Sequence, residues 1–262
     1  MKITLSSPSE KSHKIFWFVV FAVVLAIVIQ QMPASIMSGL LAKQSACRVT
    51  MHHTIGSIWD GSAALGFSEP NLAGGGCREP LAITERFSWK SQCSLMQGQC
   101  QVDIQFVGLD KPLKIYAYPN QIKVGSGEIV LPASILEAFG NPWSTLRPRG
   151  QLSAYWSELK KGADTSGSVR INIANLSSPI SAVKPLGSYE IKANIARTGT
   201  SFELATVAGP LLLKGKGTAD SDTKPGLHFA GGAWAAPEVE ESLIGLLSLL
   251  GRKDGDTYRM QY

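Results

Sequence analysis

The chain has 262 residues, 44% of them hydrophobic and 17% charged, with 25 Lys+Arg against 20 Asp+Glu for a net charge of +5. That length holds one or two domains and a sizeable core, and the apolar share rules out a wholly disordered chain. The 26 Gly and 14 Pro follow no three-residue period, which excludes a collagen-like fibre, and no Lys/Arg run exceeds two, whereas a nucleic-acid binder carries a dense basic patch.

Ile15 to Ile29 reads IFWFVVFAVVLAIVI without a charge. Fifteen residues rise about 22 Å, and continuing through Gln30, Gln31 and Met32 gives about 27 Å, a slightly short span of a hydrocarbon core about 30 Å thick. Lys11 and Lys14 precede the segment, and no Lys or Arg follows until Lys43. The positive-inside rule therefore places the N-terminus in the cytoplasm and the rest across the membrane. The expected organisation is a cytoplasmic tail (1–14), a transmembrane anchor (15–32), a linker (33–46) and a translocated β-rich domain (47–262). A cleaved signal peptide is the competing reading, but Ile36 and Met37 follow the small Ala34-Ser35 pair and no A-x-A site appears.

Cys47, Cys77, Cys93 and Cys100 all lie beyond the apolar segment. An even count on the oxidising side of a membrane favours disulfides, with three connectivities open. Cys93 to Cys100 reads as a hairpin with a turn at Gly98, so its ends could meet, leaving Cys47 with Cys77. Zinc held with His52 and His53 is the less favoured alternative, because no C-x-x-C or H-x-x-x-H spacing exists.

Alternation with period two dominates the chain from Val102 onward: Val102–Phe106, Leu113–Tyr116, Ile122–Val124, Val169–Ile173, Tyr189–Ile195, Phe202–Leu204, Leu211–Lys216 and Leu227–Phe229. Gly, Pro, Asn or Asp punctuates most of the gaps. One apolar and one wet face per strand is the pattern of antiparallel sheet with one buried side. Two short helices interrupt it. One runs from Pro132 through Phe139 with Gly140 as its stop. In the other, opened by Pro237, Val239, Leu243, Leu246, Leu247 and Leu250 form one apolar stripe, suited to capping an end or face of the sheet. There Glu238, Glu240 and Glu241 complement the N-terminal dipole, Arg252 and Lys253 the far end, and Gly251 suits the C′ position. The expected fold is thus mainly β: a transmembrane helix, then a curved antiparallel sheet with two short helices. The helix spacing suggests two similar halves, about 47–160 and 161–262, joined by a loop at Lys160–Gly167.

Signs of catalysis are lacking. There is no G-x-S-x-G, P-loop or H-E-x-x-H motif. The four histidines are His13 on the cytoplasmic flank, His52 and His53, which would face opposite ways on a strand, and His228 on a polar strand face. Glu137, Glu158, Asp164 and Glu190 fall in different elements and read as solvated, and Gly74-Gly75-Gly76 reads as a loop turn. No catalytic residue, metal site or cofactor is expected, and the chain is read as a non-enzyme. The features that stand out are aromatic. Trp59 stands before Asp60-Gly61, a pair that suits a tight turn, and Trp143 lies in a rigid Pro142–Pro148 segment with Leu146 and Arg147. Trp59, Asp60, Gly61, Pro142, Trp143, Leu146 and Arg147 are the expected packing or partner-contact residues, both Trp being core anchors first. Arg147 and Arg149 around Pro148 read as a solvated loop, or as a contact for anionic lipid or an acidic partner.

Six segments together resemble the type II secretion system protein N family: Gly56-Ser57-Ile58-Trp59-Asp60-Gly61; Leu131-Pro132-Ala133-Ser134; Pro142 to Leu152; Leu186-Gly187-Ser188-Tyr189; Thr206 to Leu211; and Leu249-Leu250-Gly251-Arg252. The resemblance implies a non-enzymatic accessory component of the apparatus that exports folded proteins across the Gram-negative outer membrane. It implies a single inner-membrane anchor, a periplasmic bulk for assembly or docking, and other inner-membrane or periplasmic subunits as partners. The chain is also similar to AsmA-like periplasmic β proteins, whose curved sheets enclose an apolar groove. That similarity implies lipid binding or transfer as the alternative.

Overall fold

The computed structural model describes residues 10–68, 77, 79–80, 82–94, 96–106, 109, 111–139, 143–219 and 227–261. Helix α1 (Glu10–Gln30) takes in the uncharged segment, which has no Gly or Pro to break it, and stops just short of Pro33. Its side chains are described from Phe16 onward and are exposed around the helix, Phe16, Trp17, Phe18 and Phe21 by more than half. Among the described residues no helix is long and apolar enough to cross a membrane. Within segment 33–46 lies helix α2 (Ser35–Gln44).

Sixteen strands then form one antiparallel sheet. In chain order they are β1 (Val49–Gly56), β2 (Asp60–Phe67), β3 (Ala82–Ser94), β4 (Gln99–Phe106), β5 (Leu113–Tyr118), β6 (Gln121–Val124), β7 (Gly127–Pro132), β8 (Arg149–Trp156), β9 (Leu159–Gly162), β10 (Ser166–Ser177), β11 (Gly187–Ala196), β12 (Gly199–Ala208), β13 (Leu211–Ala219), β14 (Leu227–Ala235), β15 (Arg252–Asp254) and β16 (Thr257–Gln261). Between β7 and β8 come a 3₁₀ helix (Ala133–Phe139) and α3 (Trp143–Leu146). Between β14 and β15 come a 3₁₀ turn (Pro237–Val239) and α4 (Glu240–Leu250).

The sheet is a meander of hairpins. β6 and β7 are one strand bent at residues 125–126, and β8 and β9 one strand bent at 157–158, because a single antiparallel register carries Gln121↔Gly162 through to Pro132↔Gln151. Trp156 pins the bend: its indole N–H donates to the Gly125 carbonyl at 2.8 Å and its ring covers Gly127. The order inverts only at the end, where β16 pairs with β14 and leaves β15 on the edge.

One face of the sheet holds two packing centres. The smaller gathers Ala34, Met51, Ala63, Phe87 and Trp89 beneath Met37 and Leu41 of α2. Phe87 stacks on Phe106 at 5.1 Å and tilts against Trp89 at 5.6 Å. The larger lies on β8, β10, β11, β13, β14 and β16 and is closed by α4, whose Leu243, Leu246, Leu247 and Leu250 are buried. Burial of each leucine contributes roughly 1.5–3 kcal/mol.

Every strand expected from alternation lies within an observed one, and the leucine stripe of α4 faces the sheet as expected. Four local expectations need correction. Lys160–Gly167 is no loop but the β9–β10 hairpin, with its turn at 163–164. Pro132 closes β7 instead of opening the first helix, which is a 3₁₀ helix over Ala133–Phe139. Asp60-Gly61 opens β2, the turn sitting at Ser57–Trp59. Gly251 is extended (φ −169°), and Arg252 and Lys253 lie in β15 rather than in the last turn of α4. Glycine is required at 251 because a Cβ there would strike the Arg259 carbonyl oxygen of β16.

Candidate functional site

Four of the six distinctive segments meet at one corner of the larger core. Tyr189, 1% exposed, donates its hydroxyl to the Leu211 carbonyl at 3.0 Å. The Leu211 N–H donates to the Leu186 carbonyl at 2.9 Å, and the Leu186 N–H to the Leu176 carbonyl at 2.7 Å. Gly209, at φ +113°, brings its backbone onto Gly187, and a Cβ on Gly187 would in turn lie 2.7 Å from the Tyr189 hydroxyl. Only glycine allows that approach. Leu146 and Pro148 are buried here, Trp143 is half-buried, and the Ser178 hydroxyl donates to the Leu146 carbonyl. Leu246 and Leu250 of α4 close the corner over an apolar cavity of about 100 Å³. Burial also raises the Tyr189 phenol pKa well above its ordinary value. Chemically the corner offers packing and rigidity, since its lining carries no carboxylate, imidazole or cationic side chain.

Trp59 has another role. It is half-buried, and its indole N–H donates to the Ile29 carbonyl in the last turn of α1 at 2.8 Å. The Ile58 N–H donates to the Met32 carbonyl at 3.0 Å, the Ala34 N–H to the Gly56 carbonyl at 3.1 Å, and Pro33 bridges to Ser57. The β1–β2 turn therefore grips the end of α1. A helix leaves its last four carbonyls without intrahelical partners, and the turn supplies one. Asp60 is exposed and lies 3.9 Å from the Lys90 ammonium. Gly61 is buried under Trp89, where a Cβ would come within 2.5 Å of the ring. Arg147 is exposed with φ +45°, ending α3 with its N–H on the Trp143 carbonyl at 3.0 Å. Pro142 lies outside the described residues, as do residues 74–76.

Both disulfides form in the local arrangement, Cys47–Cys77 and Cys93–Cys100, the second joining β3 to β4 at directly paired positions. His52 lies 2.8 Å from the Thr50 hydroxyl, which also donates to the Gly66 carbonyl at 3.3 Å. His53, at φ +51°, marks a bulge in β1. Among the described residues no three His, Cys, Asp or Glu side chains cluster as a metal site would need. On the opposite, wet face, Arg170 and Lys192 pair with Glu190 at 3.2 and 2.8 Å. Lys216 pairs with Glu203 at 2.6 Å and holds that carboxyl below its ordinary pKa. Such exposed pairs are screened by water and contribute little to stability.

Sequence reasoning missed the α1 grip and Tyr189's place at the corner. Pro33 just after the apolar run signalled where α1 must end, but no local pattern shows that the turn around Trp59 folds back onto it. A family model described as Type II secretion system (T2SS), protein N, matches residues 48–261, the whole of the sheet without α1 and α2. No curated protein and no solved structure gives a significant match.

Proposed function

The chain belongs to the type II secretion system protein N family, and on that premise we propose that it is a non-enzymatic accessory subunit of the secretion apparatus, anchored in the inner membrane by α1. Its sheet then stands in the periplasm for assembly or docking. The observation that carries this reading is the grip of the β1–β2 turn on Ile29 and Met32, which couples the apolar helix to the sheet. The exposed, uncharged surface of α1 from Phe16 to Gln30 supports insertion, with Lys11 and Lys14 on the cytoplasmic side. The two disulfides suit an oxidising compartment. An anchor also confines the sheet near membrane-bound subunits and raises its effective concentration there. Lipid binding or transfer is the second reading: the apolar cavity at the corner, about 100 Å³, is smaller than the 150 Å³ or so that holds one benzene, and the larger groove of about 770 Å³ at Phe202 and Phe229 is also lined by Lys192, Glu203 and Lys216.

The test is purification of the full-length protein from its host membrane in gentle detergent, with mass spectrometry of everything that co-elutes. Inner-membrane or periplasmic secretion subunits in stoichiometric amounts are expected. Stoichiometric phospholipid with no secretion subunit would overturn the reading in favour of lipid handling.

A further inference from the structure

We propose that the foot of the sheet, formed by the β1–β2 turn and the outer side of α2, is a membrane-contact surface that seats the sheet directly on the periplasmic face of the bilayer. The inference rests on α1 being the anchor and adds what the domain does at the point of exit.

The length of chain commits the occupant. Between the last residue of α1, Gln30, and Ala34 stand only residues 31–33, which reach at most about 10 Å. Each interfacial layer of a bilayer is about 5–8 Å thick. Residues tied to this segment therefore cannot leave the neighbourhood of the headgroups, and the ties are direct: Trp59 to Ile29, Ile58 to Met32, Gly56 to Ala34 and Ser57 to Pro33.

What the foot presents suits that place. Ile55, next to the turn, is 63% exposed, and Ile36 and Leu40, one turn apart on α2, are 42% and 56% exposed. Their neighbours Met37 and Leu41 face inward to the smaller core, so α2 has apolar side chains on both sides. α2 lies along β1, its start at Gly56 and Ser38 bonded to Met51, which puts Ile36 nearest the exit point. A soluble surface would leave these aliphatics facing water, whereas an interface buries them. Trp59 is an indole at headgroup level, a setting in which Trp is enriched. Lys90 lies 3.9 Å from Asp60 and offsets the negative charge of that carboxylate beside the turn. The consequence is orientation: the sheet leaves the membrane at a set angle rather than on a free tether.

The test uses the full-length chain in vesicles of phosphatidylethanolamine and phosphatidylglycerol. All four native cysteines are paired, so an introduced cysteine is the one free thiol and takes an environment-sensitive fluorophore. Ile55→Cys reports the foot, Phe21→Cys the anchor and Lys214→Cys the wet face of the sheet. Nitroxide lipids labelled at the headgroup or along the acyl chain serve as quenchers. Expected are quenching of the Phe21 site by deep nitroxides and of the Ile55 site by shallow ones, several-fold above the Lys214 site. Quenching at Phe21 with a water-like, unquenched Ile55 would overturn the proposal and leave the anchor intact. Loss at both sites would take the anchor reading down with it. A shielded but unquenched Ile55 would assign the patch to a second copy of the chain and also overturn the proposal.

Discussion

Replacing Tyr189 with Phe removes a single oxygen from the closed corner and leaves the ring that packs there. The hydroxyl donates to the Leu211 carbonyl at 3.0 Å, and both residues are almost fully buried, at 1% and 2% exposure. A net hydrogen bond is worth about 0.5–1.5 kcal/mol and an unpaired buried acceptor costs about 1–3 kcal/mol, so the loss should be about 1–2 kcal/mol at neutral pH. At about 2–4 °C per kcal/mol for a chain of this size, Tm should fall by about 2–8 °C. The same burial raises the phenol pKa in the folded chain, whereas an unfolded tyrosine titrates near 10. Above about pH 10 the unfolded chain releases this proton and the folded chain keeps it, so the unfolded state binds fewer protons and stability falls as pH rises. The contribution is complete below about pH 10 and is lost progressively as pH climbs toward the raised folded value. Tyr189→Phe abolishes that loss, so the gap between the two proteins should narrow at alkaline pH. Thermal unfolding of the full-length proteins in mild detergent, followed by circular dichroism from pH 7 to pH 11, measures both effects. With every cysteine paired, no free thiol is present to start disulfide exchange over that range. Equal melting at neutral pH, or parallel losses above pH 10, would refute the account of the corner.

On α4, Leu243→Ala should cost about 3–5 kcal/mol, because Leu243 is 0% exposed against the sheet, while Ile244→Ser on the outer side should stay within about 0.5 kcal/mol. Comparable losses in thermal unfolding would mean that α4 is not seated as described. Removing Cys47–Cys77, with 30 residues of separation, should cost about 3–4 kcal/mol, and removing Cys93–Cys100, with seven, about 2–3 kcal/mol. Urea unfolding of the paired Cys→Ser variants checks the order, and a reversed order would count against the loop-length argument. Arg147→Gly should stabilise by up to about 1 kcal/mol, since glycine suits its φ of +45°. Retained stability with lost co-purification of secretion subunits would identify the guanidinium as a contact.

Much of the fold was legible because alternation is a local property. Val169–Ile173 and Tyr189–Ile195 each declare a strand within a few residues, and the Leu243–Leu250 stripe declares a helix with one buried side. β1, β2 and β3 were harder to read: small residues at Gly61, Ala63, Ala64 and Gly66 blunt the contrast between faces, and a bulge at His53 breaks the period. The disulfide ends were in view from spacing, although the choice among three pairings needed the β3–β4 register. Gly251 looked like a helix stop because glycine there commonly means a left-handed cap. Its actual constraint comes from β16, which returns beside it in space.

Patterns within short windows carry the apolar N-terminal helix, the antiparallel β class and the capping helix, and six such segments from Gly56 to Arg252 together carry the family resemblance. Packing in three dimensions is what brings Tyr189, Leu211 and Leu146 into one dry corner, sets Trp59 on the end of α1, and gathers Ile36, Leu40 and Ile55 around one foot. Those contacts join residues up to 65 positions apart in number, Leu146 to Leu211, and periodicity carries no information at that range. They exist because the sheet stacks hairpins side by side and returns distant segments to the same edge.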